Sequence, residues 1–238
     1  MRWLDVAGAP SSGKSRLCYP VWGDKEVLGD GKPPAPYWKP FLDELASLVP
    51  LIQDHVNRET GQPTIQAVLR MCGRSITKMS CVERMEVAAH KFPVFVQTGL
   101  MQRVLGFGWR LHDLGRDINL IRSALWRMPL SAGVAFLEAD LETLLARNRQ
   151  RGQDFRDGKV RQDEDRSYQV PHMLPCIDLA KEVMAERGIP TAAIDVQHQT
   201  EDGARAQLLA FADKGSCEQS KMGSSCKMEV LSVGPWWQ

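Results

Sequence analysis

The chain lacks any run of about 20 apolar residues, the length a helix needs to cross a bilayer, and with no charged-then-apolar stretch ahead of Gly8 no leader is expected. A cytoplasmic protein is the expectation. Net charge is nearly absent: 30 Lys and Arg against 29 Asp and Glu leave +1, so no global field draws the protein to nucleic acid or membrane. Polyanion binding would need a local basic patch. Cysteine pairs are missing too. Cys18, Cys72, Cys81, Cys176, Cys217 and Cys226 are scattered, none in a C-x-x-C, and the histidines do not group with them. That argues against a disulfide framework or a zinc site and for reduced, structural thiols. His112 and His172 stand alone in the sequence and read as structural or exposed residues. No internal repeat is visible. What is present, 43% apolar and 25% charged residues over 238 positions, suits one α/β domain with insertions.

Against this ordinary background one segment stands out. Gly8-Ala9-Pro10-Ser11-Ser12-Gly13-Lys14-Ser15 fills the pattern G-x-x-x-x-G-K-[ST]. Glycines at its two ends let the backbone turn so that successive N–H groups face an anion. Lys14 carries charge toward β- and γ-phosphates, and the Ser15 hydroxyl is suited to Mg²⁺. Trp3 to Ala7 reads as a strand running into the loop. A helix starting at Ser15-Arg16 would complete the cradle with its N-terminal N–H groups. Gly8 through Arg16 is therefore the expected binding segment for a nucleoside triphosphate, ATP with Mg²⁺.

Further along, Lys25–Leu28 reads as a short strand and Leu42–His55 as a helix, with helices near 64–74 and 82–90. Pro93–Gln97 looks like a buried central strand. Helices are expected at Leu100–Trp109 and Arg116–Trp126, with Gly106, Gly108 and Gly115 loosening the connection between them. Gly133–Leu137 is the clearest strand, followed by Asp140 as the cap of a helix over Leu141–Arg151. Helix His172–Arg187, strand Thr191–Asp195 and helix Glu201–Lys214 close the pattern. Strands alternating with helices imply a parallel sheet with crossovers, whose ligands lie beyond the carboxyl ends of the strands. Gln97, Glu138 and Asp140 would share that rim with Gly8. The domain spans 1–214, and the Gly-, Ser-, Lys- and Met-rich 215–238 reads as a mobile tail.

A second constellation follows the Gly133 strand. Arg147 and Arg151 lie four apart on one helical face, ahead of Arg156, Arg161 and Arg166. Guanidinium groups satisfy the equatorial oxygens of a transferring phosphoryl group, and a mobile basic segment over about 147–168 would act as a lid that excludes water. The interleaved Asp154, Asp157, Asp163, Glu164 and Asp165 leave a solvated charged face as the alternative.

The loop, the strand Val134–Leu137 with Glu138-Ala139-Asp140-Leu141-Glu142-Thr143, and Arg147-Asn148-Arg149-Gln150-Arg151-Gly152 together resemble the thymidylate kinase and nucleoside kinase superfamily. Gln97 to Arg103, Gly106 to Leu111 and the Met128-Pro129 turn resemble, more narrowly, the phage kinases that phosphorylate 5-hydroxymethyluracil within DNA. The resemblance implies a three-layer αβα P-loop fold with a central parallel sheet. It also implies an ATP-dependent kinase, in the host cytoplasm if phage-encoded. Lys14, Arg147 and Arg151 would act on the transferred group. Gln97, Gln102, Arg103 and Trp22 would contact the acceptor. One departure matters: the family's Asp-Arg after its central strand is Gln97-Thr98 here, and an amide accepts no proton. Asp24 or Glu26 is then the candidate base, and Asp5 reads as lying too deep in the first strand. Trp22, Tyr37 and Trp38 are suited to stacking on a base or to packing, and Arg103 and Arg110 to an acceptor phosphate. The acceptor stays open between hydroxymethyluracil in DNA and a free deoxynucleoside or its monophosphate. A nucleotide-driven switch without kinase activity is the third reading.

Overall fold

The computed structural model describes residues 3–14, 17, 38–55, 94–97, 99–129, 132–156 and 166–221. Among these, strands β1 (Trp3–Gly8), β2 (Val94–Gln97), β3 (Gly133–Glu138) and β4 (Thr191–Asp195) form one sheet in the order β2-β1-β3-β4. Every neighbouring pair is parallel. The helices are α1 (Lys39–Leu48), α2 (Leu100–Asp113), α3 (Arg122–Arg127), α4 (Leu141–Arg156), α5 (Val170–Glu186) and α6 (Glu201–Lys221). Short 3-10 turns occupy Val49–Ile52, Ile118–Ile121 and Ser167–Gln169.

Strand alternation splits the core in two. Leu4, Val6, Ala135, Leu137 and Ile194 face one side and pack on Ala204, Leu208 and Ala212 of α6. Ala7, Val134 and Phe136 face the other side, against Phe41 and Leu45 of α1, Val104 and Leu111 of α2, and Cys176 and Ala180 of α5. Helices thus cover both faces of a parallel sheet, an arrangement compatible with an αβα sandwich. Trp38 is fully buried, so it packs and does not present a face for stacking.

Several expected boundaries move. Among the described strands β2 stands at an edge and not at the centre, because β1 and β3 hold the interior positions. Gly106 and Gly108 do not loosen a connection; the helix runs past both, four residues beyond Trp109, to Asp113. That helix ends at Gly115, whose φ of +66° needs no Cβ, with Arg116 N–H donating to Leu111 O at 2.9 Å. The helix expected from Arg116 becomes a 3-10 turn and then α3, because Asp117 Oδ1 takes the Asn119 N–H at 2.9 Å and starts the chain afresh. Both α4 and α6 outlast expectation. The first runs on to Arg156, and the second carries helix through 215–221, which had been read as tail. The expected strand at Lys25–Leu28, the helices near 64–74 and 82–90 and the residues from 222 onward lie outside the described residues.

Gly108 explains why a glycine survives within a helix. A Cβ there would sit 2.8 Å from both Cys176 Sγ and Ile121 Cδ1, so α2 and α5 meet at the bare backbone. Arg187, just past α5, binds the layer further: its guanidinium donates to Leu125 O and Met128 O at the end of α3. Burial lowers its pKa from the usual arginine value. These contacts fix α5, and with it the crossover into β4.

The two glycines of α2 should behave oppositely. Gly108→Ala forces helices apart and is expected to cost about 1–3 kcal/mol. In Gly106→Ala the nearest atom to the new Cβ is Arg110 Nη1 at 3.6 Å, so the variant should gain roughly 0.5–1 kcal/mol of helix propensity. Urea unfolding of both checks this; equal effects would contradict the packing described.

Candidate functional site

The loop begins where β1 stops. Gly8 pairs with Leu137 of β3, and a Cβ on it would meet Ser12 Oγ at 2.6 Å and Leu137 O at 3.0 Å. Only glycine lets the chain turn this close to its neighbouring strand. The turn proceeds through Ser12 N–H to Ala9 O at 3.2 Å, with Ser11 at φ +61° and Gly13 at φ +89°. Leu17 N–H then reaches Gly13 O at 3.1 Å, the start of the helical turn expected after the loop.

Lys14 folds back into this ring. Its Nζ donates to Gly8 O at 2.8 Å, Ala9 O at 2.9 Å and Ser12 Oγ at 3.3 Å. The ammonium is centred by the loop's own acceptors. From outside, Gln102 of α2 accepts the Gly8 N–H on Oε1 at 3.3 Å, and its Nε2 lies 3.6 Å from Met173 Sδ of α5. Gln102, expected to face an acceptor, is thus engaged with the loop and with α5.

The register brings the strand ends together. Gln97 ends β2 beside Val6, Leu137 lies beside Gly8, and Glu138 pairs with Asp195. Gln97, Glu138 and Asp140 therefore do share the loop's rim, as expected. Asp5 is buried on the same sheet face as Ala7. Three residues of strand put it about 10 Å below Gly8, which agrees with its exclusion as a base. Arg110, considered for an acceptor phosphate, is turned back into its own helix: Nη1 donates to Gly106 O at 2.5 Å, and the guanidinium lies 4.4 Å over Trp109. Arg103 and Arg151 both make contacts within the chain. Ser15, Arg16, Trp22 and Asp24 fall outside the described residues, as do 157–165 of the expected lid.

At the other end of the rim lies a polar cluster that sequence reading largely missed. Asp140 caps α4 by accepting the Thr143 N–H at 2.6 Å, and it exchanges two further hydrogen bonds with the Gln197 side chain, at 2.5 and 2.9 Å. The Thr143 N–H and the Gln197 amide hold the Asp140 carboxyl below the usual carboxylate range. Arg147 Nη2 donates to Val196 O at 2.7 Å, so this arginine fastens α4 to the turn after β4. With two strand spacings of about 4.8 Å between β1 and β4, that anchor sits roughly 10 Å across the rim from Gly8. Asp195 gathers the N–H groups of Gln197 and His198, at 2.8 and 3.0 Å, and His198 Nδ1 at 2.8 Å. Its pKa is held down to about 2 by the His198 and Gln197 N–H groups. The signal was available: an aspartate at a strand end followed by Gln197-His198-Gln199-Thr200 is an Asx-turn pattern.

The depressed Asp195 fixes the sign of an acid effect. Its hydrogen bonds support the turn above the ordinary carboxylate pKa, and the support is lost as pH falls toward 2. The carbon-13 signal of the Asp195 carboxyl should titrate near 2; a midpoint near an unperturbed value of about 4 would contradict the turn geometry. No protein-family model matches the chain and no curated protein matches it, so the reading of this rim rests on its own residues.

Proposed function

We propose that the protein is an ATP-dependent kinase of the P-loop type that transfers the γ-phosphoryl group to a hydroxyl of a nucleotide-type acceptor. The observation that carries this is the Gly8–Lys14 loop at the end of an interior parallel strand, with the Lys14 ammonium ringed by loop acceptors. The cradle fits a triphosphate: Gly8 has no room for a Cβ, Gly13 is left-handed, and Lys14 is already inside. A phosphate oxygen is a stronger partner for an ammonium than a carbonyl, so an entering phosphate displaces the internal contacts.

Residues Gly8 to Arg16 hold the phosphates, and Ser15 holds Mg²⁺, which supplies neutralising charge between the phosphoryl groups. The polar cluster at Asp140, Val196 and Gln197 lies across the rim at a distance that the sugar and base of the nucleotide span. Arg147 anchors α4 there, and Arg151, one turn further on, is assigned to the charge of the transferred group. Gln97, Arg103 and Trp22 are assigned to the acceptor and Asp24 to the base, while Gln102 supports the loop through the Gly8 N–H. The favoured acceptor is the hydroxymethyl group of 5-hydroxymethyluracil in DNA, which projects into the major groove where thymine carries its methyl. Base flipping is the other route to it. Its support is the resemblance of Gln97–Arg103 and Gly106–Leu111 together with the missing carboxylate at Gln97. A free deoxynucleoside or monophosphate is the second reading, and a nucleotide-driven switch without transfer the third.

Incubation with γ-labelled ATP and Mg²⁺ separates them. Label should enter hydroxymethyluracil duplex DNA and not the same duplex with thymine; label only in free nucleosides or monophosphates would overturn the DNA acceptor. ATP binding with no labelled acceptor favours the switch. Lys14→Ala should lower transfer roughly 10²- to 10³-fold, on the order of what electrostatic groups contribute at such centres, with the thermal unfolding midpoint little changed. An unchanged rate would remove the kinase reading.

A further inference from the structure

Away from the loop, three histidines and one aspartate meet where α2 ends, α5 begins and the chain leaves α1. His55 Nε2 lies 2.6 Å from Asp113 Oδ2, and His172 Nε2 lies 3.2 Å from Asp113 Oδ1. The His55 approach is oblique to the ring N–H, so it is a close contact and not a directed hydrogen bond. On its other side His172 presents Nδ1 to His112 Nδ1 at 2.8 Å, with ring centroids 5.1 Å apart. Neither histidine is isolated, contrary to the sequence reading.

The Nδ1···Nδ1 contact is a proton counter. Two imidazole nitrogens at hydrogen-bond distance share one proton; one ring donates and the other accepts. The closed contact therefore holds at most one positive charge, because one of the two Nδ1 atoms must stay unprotonated to accept. A second charge sets two N–H groups head to head with no acceptor between them, and the contact must part. The other groups facing this seam, among the described residues, do not relieve that collision. Arg110 lies over Trp109, Tyr168 meets Trp109 edge-on at 5.7 Å, and Cys176 Sγ donates to His172 O. Trp109 also stacks edge-on against His55, at 5.3 Å. The charges nearest along the next elements are paired elsewhere, Asp117 with Asn119, and Arg122 with Glu182 and Glu186.

We propose that His55, His112, Asp113 and His172 form an acid-sensitive clasp that holds the start of α5 on the end of α2 and releases it when His112 and His172 are both charged. The opened seam binds one proton more than the closed one, so the closed form is favoured above the histidine range and is lost as pH falls through it. Linkage of one proton shifts the opening equilibrium by at most tenfold per pH unit. Release reaches the loop in two contacts, because Met173, next to His172, touches Gln102, and Gln102 accepts the Gly8 N–H. That last step rests on the functional reading of the loop; the clasp does not.

Hydrogen exchange of the nucleotide-free protein tests the clasp without any kinase assay, so its failure and that of the proposed function are told apart. After correction for intrinsic rates, the amides of Met173, Leu174 and Cys176, the residues of the first helical turns that carry a bonded N–H, should exchange several-fold faster, up to about tenfold, at pH 5.5 than at 6.5. In His112→Gln, whose amide donates or accepts without gaining charge, the ratio should stay within about twofold. A wild-type protein without acceleration, or a variant that accelerates equally, overturns the proposal. Should the variant not fold, nitrogen-15 imidazole spectra of the wild type decide. At most one of the two rings must carry a charge until exchange accelerates, and two charged rings in the closed form overturn the clasp.

Discussion

The rim of this protein is organised around one ammonium. Lys14 Nζ sits inside a loop whose Gly8 O, Ala9 O and Ser12 Oγ all accept from it. A cation cannot be left without acceptors in such a ring, so the loop closes on its own lysine. This closure demands the two glycines, because Gly8 passes within a Cβ's reach of Leu137 O and Gly13 must take a left-handed turn. It also demands an interior strand beneath it. β1 is held on one side by β2 and on the other by β3, which makes the loop's base one of the stiffest places in the sheet.

Stiffness on the sheet side is matched by a tunable helix layer. α2 and α5 touch through the missing side chain of Gly108, and Gln102 carries that junction to Gly8. The same pair of helices ends in the histidine seam. Geometry at the loop is thus tied to two kinds of contact: a steric one that does not respond to conditions, and a polar one that does. α4 and the turn after β4 are joined separately, through Asp140, Gln197 and Arg147. The rim therefore has two independently supported ends.

Sequence reading reached the elements whose signals are local. Gly8-to-Ser15 announced the turn, β3 stood out as Val134-Ala135-Phe136-Leu137, and Asp140 capped α4 as a short side chain ahead of a helix should. It failed where the deciding contact is distant. Gly108 was read as loosening the connection to the next helix because nothing nearby in sequence shows Cys176 and Ile121 closing on it. His112 and His172 looked solitary because their proximity depends on how two helices cross. Arg147 was read as a clamp for a transferred phosphoryl group, and its backbone-carbonyl partner Val196 O is one that no residue type advertises. Strand rank in a sheet is equally non-local: β2 is as apolar as an interior strand and still stands at the edge of those described.

For the phosphoryl transfer proposed above, a glutamine in place of a carboxylate at the end of β2 constrains the chemistry more than it weakens it. Gln97 takes no proton, and Asp5 is buried about three strand residues below the loop, some 10 Å away. Neither can deprotonate a hydroxyl beside Lys14. A loose phosphoryl-transfer transition state places little charge on the attacking oxygen, so loss of the proton lags behind bond cleavage and a strong base adds little. The requirement then falls on positioning and on positive charge around the departing phosphates. Those are the properties that an enclosed ammonium, a glycine-lined turn and an arginine-bearing helix supply. An acceptor fixed in a polymer suits such a site, since its hydroxyl arrives already oriented by the strand that carries it. A small acceptor would need the rim itself to orient it.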